Sequence, residues 1–229
     1  MVEYSLEDLL FALGFNLLLT FMVIIGLNID GVIILTLRGV DLVNVCIFYY
    51  DGFCEFEVVL LGLIFREKNV FTAALENKVY ISEEKQKFLP DKTLGELNSD
   101  EIDLFVIPGG NPSYLFDNKI LRDFIAALNS KNKHIGAICG GSLLLAKHGI
   151  LDNKRCTGDS SGIREDEDYI ELFQKAKVLN EDVVIDGNII TSTGQAFVEF
   201  AIELGKIMNI YKNHEEAQND YRWIKNIKD

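Results

Sequence analysis

The residue of this sequence best placed for covalent chemistry is Cys139, which stands between a short apolar segment and a run of helix formers. His134–Ile138 has the composition of a buried strand, residues 142–148 have that of a helix, and Gly149 follows at a helix C-cap position. A cysteine at such a strand-to-helix turn is typical of a nucleophile elbow, which lifts a reactive side chain above the edge of a sheet. The alternative is a buried structural cysteine, because free cysteines are often buried.

The two glycines after the cysteine favour the reactive interpretation. Gly140 and Gly141 let the backbone turn sharply without a Cβ clash. The helix that follows would direct free N–H groups and the positive end of its dipole at the sulfur. Both effects favour the thiolate, which is the nucleophile. We therefore expect Cys139 to have a lowered pKa and to react before the other cysteines.

The other three cysteines are scattered along the chain and are expected to be small buried hydrophobic residues. They are Cys46, Cys54 and Cys156. The sequence has no Cys-x-x-Cys pair, which predicts neither a metal site nor a disulfide framework and favours a reducing compartment.

Four blocks of sequence, in the family's order, resemble the ThiJ/PfpI family, within the class I glutamine-amidotransferase-like fold. Residues 137–141 match the family's elbow, Ala-Ile-Cys-x-Gly, and residues 103–110 match its strand followed by Pro-Gly-Gly. Residues 51–57 resemble its first loop, which ends on an acid that opens a helix. Residues 186–200 resemble its closing hairpin and last helix, and the whole resemblance covers about residues 42–211.

The resemblance implies a cysteine–carboxylate pair. In the family, an acid at the end of the first loop lies beside the cysteine sulfur, and Glu57 holds that place here. A protonated carboxyl there would donate to the thiolate and later move a proton. On composition alone Glu55 has an equal claim. A simple acid at a helix N-terminus is the other interpretation of Glu57, because the helix dipole favours negative charge there.

Glycines near two strand ends could hold an oxyanion. The N–H groups of Gly109, Gly110 and Gly140 would converge over the sulfur, because the carboxyl ends of parallel strands meet at one crevice. The alternative is a strand-end turn that needs a positive φ angle. Gly141 is a candidate for the border of the same pocket.

Two positions depart from the family's pattern. Gly140 stands where the peptidase-like members have a histidine, so the usual Cys-His pair is missing and peptidase activity is not expected. Asp159 aligns with a position where several relatives carry a histidine near the sulfur. An ionised acid in the pocket would oppose thiolate formation, and a plain loop residue is the equal alternative. The histidines of this chain match no family site and are expected to be structural. They are His134, His148 and His214.

The charge balance excludes one class of partner. The 229 residues include 35 acidic and 22 basic side chains, and the net charge of −13 repels the phosphates of nucleic acids. Solubility alone also explains the acidity. The sequence has no Gly-x-Gly-x-x-Gly motif and no phosphate-binding loop, and the resemblance implies no cofactor.

The first 41 residues lie outside the resemblance. Residues 9–28 carry no charge, and twenty residues at 1.5 Å each would cross a hydrocarbon core of about 30 Å. A membrane anchor, an appended segment and a buried extra helix are the open alternatives. A signal peptide is less favoured, because acidic residues precede the run. An anchor would place the domain on the cytoplasmic face of the membrane, since Arg38 follows the run. Otherwise we expect a cytoplasmic protein.

The rest of the chain has the pattern of an α/β domain. Continuous apolar segments such as residues 43–49 alternate with amphipathic helices such as Lys119–Ser130. This alternation predicts a flavodoxin-like, doubly wound, mostly parallel sheet with helices on both faces. We expect one domain over residues 42–211, a dispensable extension over 1–41 and a charged, partly helical tail over 212–229.

These features together predict a cysteine-dependent enzyme that acts on small carbonyl or amide-like substrates, as glyoxalases, deglycases and hydratases do. Cys139 would attack the substrate and Glu57 would move the proton. The alternative is a redox-sensing or stress-response protein whose cysteine oxidises without efficient turnover, and a scaffold without chemistry is a third possibility. By analogy with the family, we expect a homodimer.

Overall fold

The computed structural model describes residues 23–29, 32–38 and 43–228, and the chain divides into two units between Leu42 and Val43. In the first unit, strands β1 (Val23–Ile29) and β2 (Val32–Arg38) form an antiparallel hairpin with Val23 opposite Arg38.

This hairpin changes the interpretation of the uncharged run at residues 9–28. A helix through the whole run is wrong, because residues 23–28 belong to a strand. Apolar segments of this kind have no period that separates helix from strand. Residues 9–22 lie outside the described residues. Within the part of the chain that is described, no helix has both the length and the hydropathy to cross a membrane.

The second unit is built on a seven-stranded sheet. The strands of this unit, including those outside the large sheet, are β3 (Asn44–Phe48), β4 (Asn69–Ala74), β5 (Tyr80–Ile81), β6 (Lys87–Phe88), β7 (Lys92–Thr93), β8 (Leu104–Ile107), β9 (His134–Ile138), β10 (Arg155–Cys156), β11 (Lys177–Val178), β12 (Val183–Asp186) and β13 (Ile189–Ser192). The order across the sheet is β12-β13-β9-β8-β3-β4-β7, and every neighbouring pair except β12–β13 is parallel. Two small sheets pair β5 with β6 and β10 with β11. The mostly parallel α/β arrangement predicted from the sequence is confirmed.

The described helices follow the predicted positions closely. They are α1 (Phe56–Ile64), α2 (Lys119–Ser130), α3 (Gly141–Lys147), α4 (Phe197–Ile207) and α5 (His214–Ile224). Helix α2 begins where Asn118 Oδ1 accepts the Leu121 N–H at 3.0 Å, a typical N-cap. It buries Leu121, Ile125 and Leu128, which lie on one face at the helical period.

The central strands of the sheet are buried along most of their length. All four residues of β8 are buried, and Val45 and Cys46 of β3 are fully buried as well. Near-continuous apolar strands of this kind are typical of a parallel sheet covered on both faces. Their rigid carboxyl ends position the loops described below.

The C-terminal segment, expected to be a charged and partly helical tail, contains α5. Its first turn is capped by Asn213, whose Oδ1 accepts the Glu216 N–H at 2.9 Å. Ala217 is fully buried, and the Tyr221 hydroxyl donates to Glu199 on α4 at 2.8 Å. Helix α5 therefore packs against α4.

Candidate functional site

Loops that follow the parallel strands are tied together at the carboxyl edge of the sheet. The Cys54 N–H donates to the Gly109 carbonyl at 3.0 Å, which joins the loop after β3 to the loop after β8. The Cys139 N–H donates to the Ser192 carbonyl at 2.9 Å, which joins the turn after β9 to the end of β13. Crevices at this edge of open α/β sheets are the usual place for ligands.

Cys139 occupies a strained backbone conformation at the turn between β9 and α3. Its φ angle is +53°, in the left-handed region that residues other than glycine rarely adopt. The Cys139 carbonyl accepts from the Ser142 N–H at 3.2 Å, the Ser142 hydroxyl at 2.8 Å and the Asp159 N–H at 3.1 Å. These bonds hold the turn in a conformation that costs about 1–3 kcal/mol elsewhere.

Glu57 brings a buried carboxyl group to the sulfur. It is the second residue of α1 and only 1% exposed. Its Oε2 accepts the Gly109 N–H at 2.6 Å, and its carboxyl group shares a hydrogen bond with the Cys139 thiol. The structure thus places Glu57 next to the cysteine, as the resemblance implied.

Two glycines leave the space in which the pair meets. A Cβ at Gly109 would lie 2.4 Å from Glu57 Oε2 and 2.9 Å from the Cys139 sulfur. A Cβ at Gly194 would lie 2.7 Å from Glu57 Oε1 and 3.1 Å from the same sulfur. Sequence analysis missed Gly194 as a site residue, although its place after β13 was the available signal.

The pKa of Glu57 is raised to about 7. Burial is the main cause, because the charged carboxylate loses its hydration. The Gly109 N–H and the Cys139 thiol oppose this by donating to the carboxylate, whereas the negative charges of Glu84 and Glu83 add to it. Glu57 can therefore both give and take a proton near neutral pH.

The expectation of a lowered pKa for Cys139 is wrong. The pKa of this thiol is raised to about 12, first by burial and then by the neighbouring Glu57 carboxylate, through its negative charge and through the hydrogen bond that it accepts from the thiol. The N–H groups of Gly140 and Gly110 do lower the pKa, as the turn predicted, but they are outweighed. Above neutral pH the pair therefore consists of a thiol that faces a carboxylate able to accept its proton.

The glycine amides have different partners. The N–H of Gly109 is used by Glu57, so it is not free to hold an oxyanion, contrary to the sequence-based expectation. The N–H groups of Gly110 and Gly140 face the sulfur. A Cβ at Gly140 would lie 2.1 Å from the Gly110 carbonyl oxygen, which leaves no room for a side chain after the cysteine.

The two other predicted pocket residues have structural surroundings. Gly141 starts α3 against the end of β8, where a Cβ would lie 2.5 Å from the Ile107 carbonyl oxygen. The Asp159 carboxylate accepts from the Tyr169 hydroxyl at 2.6 Å, whereas its N–H braces the Cys139 carbonyl. Asp159 therefore supports the turn through its backbone. Tyr169 could not be found from the sequence, since it lies ten residues away in an irregular segment.

The remaining candidates have other partners than the pair. Glu55 Oε2 accepts from the Ser82 hydroxyl at 2.7 Å, so its carboxylate has another partner than the cysteine. The Cys54 thiol donates to Glu83 at 3.1 Å, and burial raises the pKa of Cys156 to about 11. All four cysteines are free thiols.

The histidines do not reach the site. His134 begins β9, at the opposite end of the strand from Cys139, and burial lowers its pKa. Burial also lowers the pKa of His148, which ends α3. Among the described residues, no three His, Cys, Asp or Glu side chains cluster as a metal ion would require.

Comparison with known proteins places this site in a family. The sequence profile described as the DJ-1/PfpI family matches residues 43–207. An uncharacterized protein of Methanocaldococcus jannaschii is 34% identical over 134 residues, which cover 56% of this chain and 62% of that protein. The protein named deglycase PfpI of Pyrococcus furiosus is 28% identical over 124 residues, which cover 54% of this chain and 72% of that protein.

The solved structures agree on the fold. The crystal structure of Drosophila melanogaster DJ-1beta superposes with a TM-score of 0.70 at 24% identity, covering 82% of this chain and all of that one. In the sequence comparisons, the chain matches about three fifths of the length of the M. jannaschii protein and of Drosophila dj-1beta.

Proposed function

The chain belongs to the DJ-1/PfpI family, and we propose that it is a cysteine-dependent enzyme acting on small carbonyl compounds, with glyoxalase- or deglycase-like chemistry. A relative named as a deglycase supports this reaction class. The observation that carries the proposal is the hydrogen bond between the Cys139 thiol and the buried carboxyl of Glu57. A nucleophile and a base in direct contact are the minimum for covalent catalysis.

The proposed first step is addition of the thiol to an aldehyde carbon. The sulfur–carbon bond forms, the π electrons of the carbonyl move to its oxygen, and the thiol proton passes to Glu57. With its pKa near 7, Glu57 can accept that proton and deliver it to the oxygen. The N–H groups of Gly110 and Gly140 stabilise the thiolate before attack and, in this proposal, the oxyanion after it.

Peptidase activity is not part of this proposal. The position after the cysteine is Gly140, and a Cβ there would collide with the Gly110 carbonyl oxygen at 2.1 Å. A histidine at that position would not fit this backbone. A peptide bond is also much less electrophilic than an aldehyde, and its leaving amine must be protonated, a task that the histidine of a Cys-His pair performs.

A redox role of Cys139 is the second candidate. Two backbone N–H groups and a carboxyl able to donate a proton surround the sulfur, and they could hold the oxygens of a sulfinate. In that case peroxide would oxidise Cys139 selectively and aldehydes would not be turned over.

One comparison separates the two functions. Turnover of methylglyoxal and glyoxal is measured with the wild type, Cys139→Ser and Glu57→Gln, together with the mass increase of the intact protein after peroxide. Turnover that disappears in both variants supports the enzyme. A gain of two oxygens at Cys139, without aldehyde turnover in the wild type, supports the redox role.

We also propose that the protein forms a homodimer through α1. This helix is apolar around most of its surface, and Phe56 and Val59 are 44% and 58% exposed. Exposed apolar residues on one helix are a common feature of subunit interfaces. A dimer mass in light scattering that falls to the monomer mass in Val59→Glu supports this surface.

A further inference from the structure

The turn between β5 and β6 is bonded to the loop that precedes α1. The Gly52 N–H donates to the Ile81 carbonyl at 2.8 Å, and the Glu83 N–H donates to the Phe53 carbonyl at 2.9 Å. These two backbone bonds fasten the turn to the loop at two successive points. The turn therefore moves with the segment that leads into Glu57.

Three side chains of the turn add contacts to the last residues before α1. The Ser82 hydroxyl donates to Glu55 Oε2 at 2.7 Å, and Glu84 Oε2 accepts the Glu55 N–H at 3.1 Å. Glu83 Oε2 accepts from the Cys54 thiol at 3.1 Å. Glu55 is the N-cap residue of α1 and makes no capping bond with its own side chain. The turn supplies polar partners that a helix start otherwise finds in its own sequence.

We propose that the β5–β6 turn is a positioning element for the Cys139–Glu57 pair: Ser82, Glu83 and Glu84 fix the start of α1 and keep two carboxylates close to Glu57. Glu57 is only the second residue of α1, so the direction of its carboxyl group depends on where the helix begins. The 2.6 Å bond from Gly109 would be lost by a shift of about 1 Å, and misplacements of that size are costly in active sites. This inference deepens the proposed function and rests on it.

The charges of the turn give it a second effect on the same pair. Burial first, and then the charges of Glu84 and Glu83, raise the pKa of Glu57. The Gly109 amide and the Cys139 thiol donate to the Glu57 carboxyl group, and the titratable side chains of Tyr50 and Cys54 also interact with it electrostatically.

Glu83 and Glu84 place two carboxylates beside the segment that leads into Glu57. Among the described residues of this region, Lys78 is paired with Asp51 at 3.2 Å, and Lys85 lies in the turn itself. In this inference the turn makes the approach to the sulfur more negative, which favours uncharged or cationic carbonyl compounds over 2-oxo acids.

Two alkylating agents of nearly equal size test this inference without any need for turnover. Iodoacetamide is neutral and iodoacetate is anionic, and both react with the thiolate. The rate at Cys139 is followed for each reagent by mass spectrometry of the peptide that contains it. The variants are Glu83→Gln, Glu84→Gln and the double change. The control is Glu101→Gln, an exposed acid before β8 at the opposite edge of the sheet.

The expected result is a change in the ratio of the two rates. Loss of both charges should raise the iodoacetate rate relative to iodoacetamide about three- to tenfold, because each charge acts over several ångströms near the surface. Glu101→Gln should leave the ratio unchanged. Salt at 0.5 M should raise the ratio less in the variants than in the wild type, since part of the charge that it screens has been removed. The single variants carry this comparison if the double variant does not fold.

The positioning role has its own readout in the pH profile of the iodoacetamide reaction. Glu84→Gln keeps an oxygen to accept the Glu55 N–H, so it should move the Glu57-dependent inflection to lower pH at an unchanged plateau rate. Glu84→Ala also removes the oxygen that accepts the Glu55 N–H, so it should lower the plateau rate of the iodoacetamide reaction as well.

The failures are distinguishable. A rate ratio and pH profile that are the same in the wild type and in all the Glu83 and Glu84 variants would overturn the inference. Preferential labelling of another cysteine in every variant would instead overturn the proposed function.

Discussion

The two edges of the central sheet are built from the same strands but hold their polar groups in opposite ways. At the amino edge, Asp103 accepts the Asn44 N–H at 3.0 Å and pairs with Lys133 at 3.3 Å. At the carboxyl edge, a strained cysteine faces a buried acid, and that acid has no cationic partner within its contacts.

The difference separates stabilising from reactive arrangements. The bonds of Asp103 are of the ordinary kind and cost no backbone strain. Cys139 and Glu57 combine a left-handed φ angle with a raised carboxyl pKa, and both features reduce stability unless the surroundings hold them. Such local costs gather at functional sites, which supports assigning function to the carboxyl edge.

The largest effect is expected from Gly140→Ala. The new Cβ would lie 2.1 Å from the Gly110 carbonyl oxygen, and a backbone atom cannot move aside as a side chain can. We expect a loss of about 3 kcal/mol in the free energy of unfolding and a fall of at least about tenfold in iodoacetamide labelling of Cys139.

Gly95→Ala is the matched control for that change, measured by urea unfolding and peptide mass spectrometry. Its nearest neighbour would be the Thr93 hydroxyl at 4.0 Å, so stability and labelling should stay within error. If Gly140→Ala behaves like Gly95→Ala, the turn is more adaptable than its contacts indicate.

The second effect is the pH dependence that Glu57 imposes. Its pKa rises from an ordinary 4.5 to about 7 in the folded protein, so the folded state holds this proton more tightly than the unfolded chain. Stability from this group is fully present below about pH 4.5 and is lost as the pH rises through 7, by about 3 kcal/mol in total.

Glu57→Gln should remove that dependence, because the amide stays neutral at every pH. The free energies of unfolding of the two proteins are compared at pH 5 and pH 8, and the variant should gain on the wild type at pH 8. Glu55→Gln serves as the control and should follow the wild type. If the difference in the free energy of unfolding between the wild type and Glu57→Gln is the same at pH 5 and pH 8, Glu57 is not a buried group that gains a proton in this range.

Much of the fold could be predicted from the sequence. Lys119–Ser130 and His134–Ile138 were predicted with the bounds that the structure shows. Each has a strong local signal, a continuous apolar strand or a helical period. Strands of two residues such as Lys92–Thr93 were missed, because two residues carry no period. Residues 23–28 were not predicted as strand for a related reason, since their apolar character suits helix and strand alike.

The site was less accessible to sequence analysis. The placement of Glu57 beside Cys139 came from family resemblance, because local composition could not separate Glu57 from Glu55. The direction of the Cys139 pKa depends on burial and on a carboxylate 82 positions earlier in the chain, and neither is visible in the turn itself. The partner of Asp159 is likewise set by tertiary packing, through Tyr169.

The smallest effect is expected at the amino edge, and it completes the comparison. Asp103→Asn keeps an oxygen for the Asn44 N–H but loses the charge that pairs with Lys133. The side chain of Asp103 is 36% exposed, so solvent screens the pair and the loss of stability should be about 1 kcal/mol or less. Labelling of Cys139 and the pH dependence due to Glu57 should not change, because the substitution lies at the far end of β8. Urea unfolding and iodoacetamide labelling of the same preparation measure both quantities. A changed labelling rate at an unchanged fold would show that the two edges are coupled through the strands, and the assignment of function to one edge alone would then be wrong.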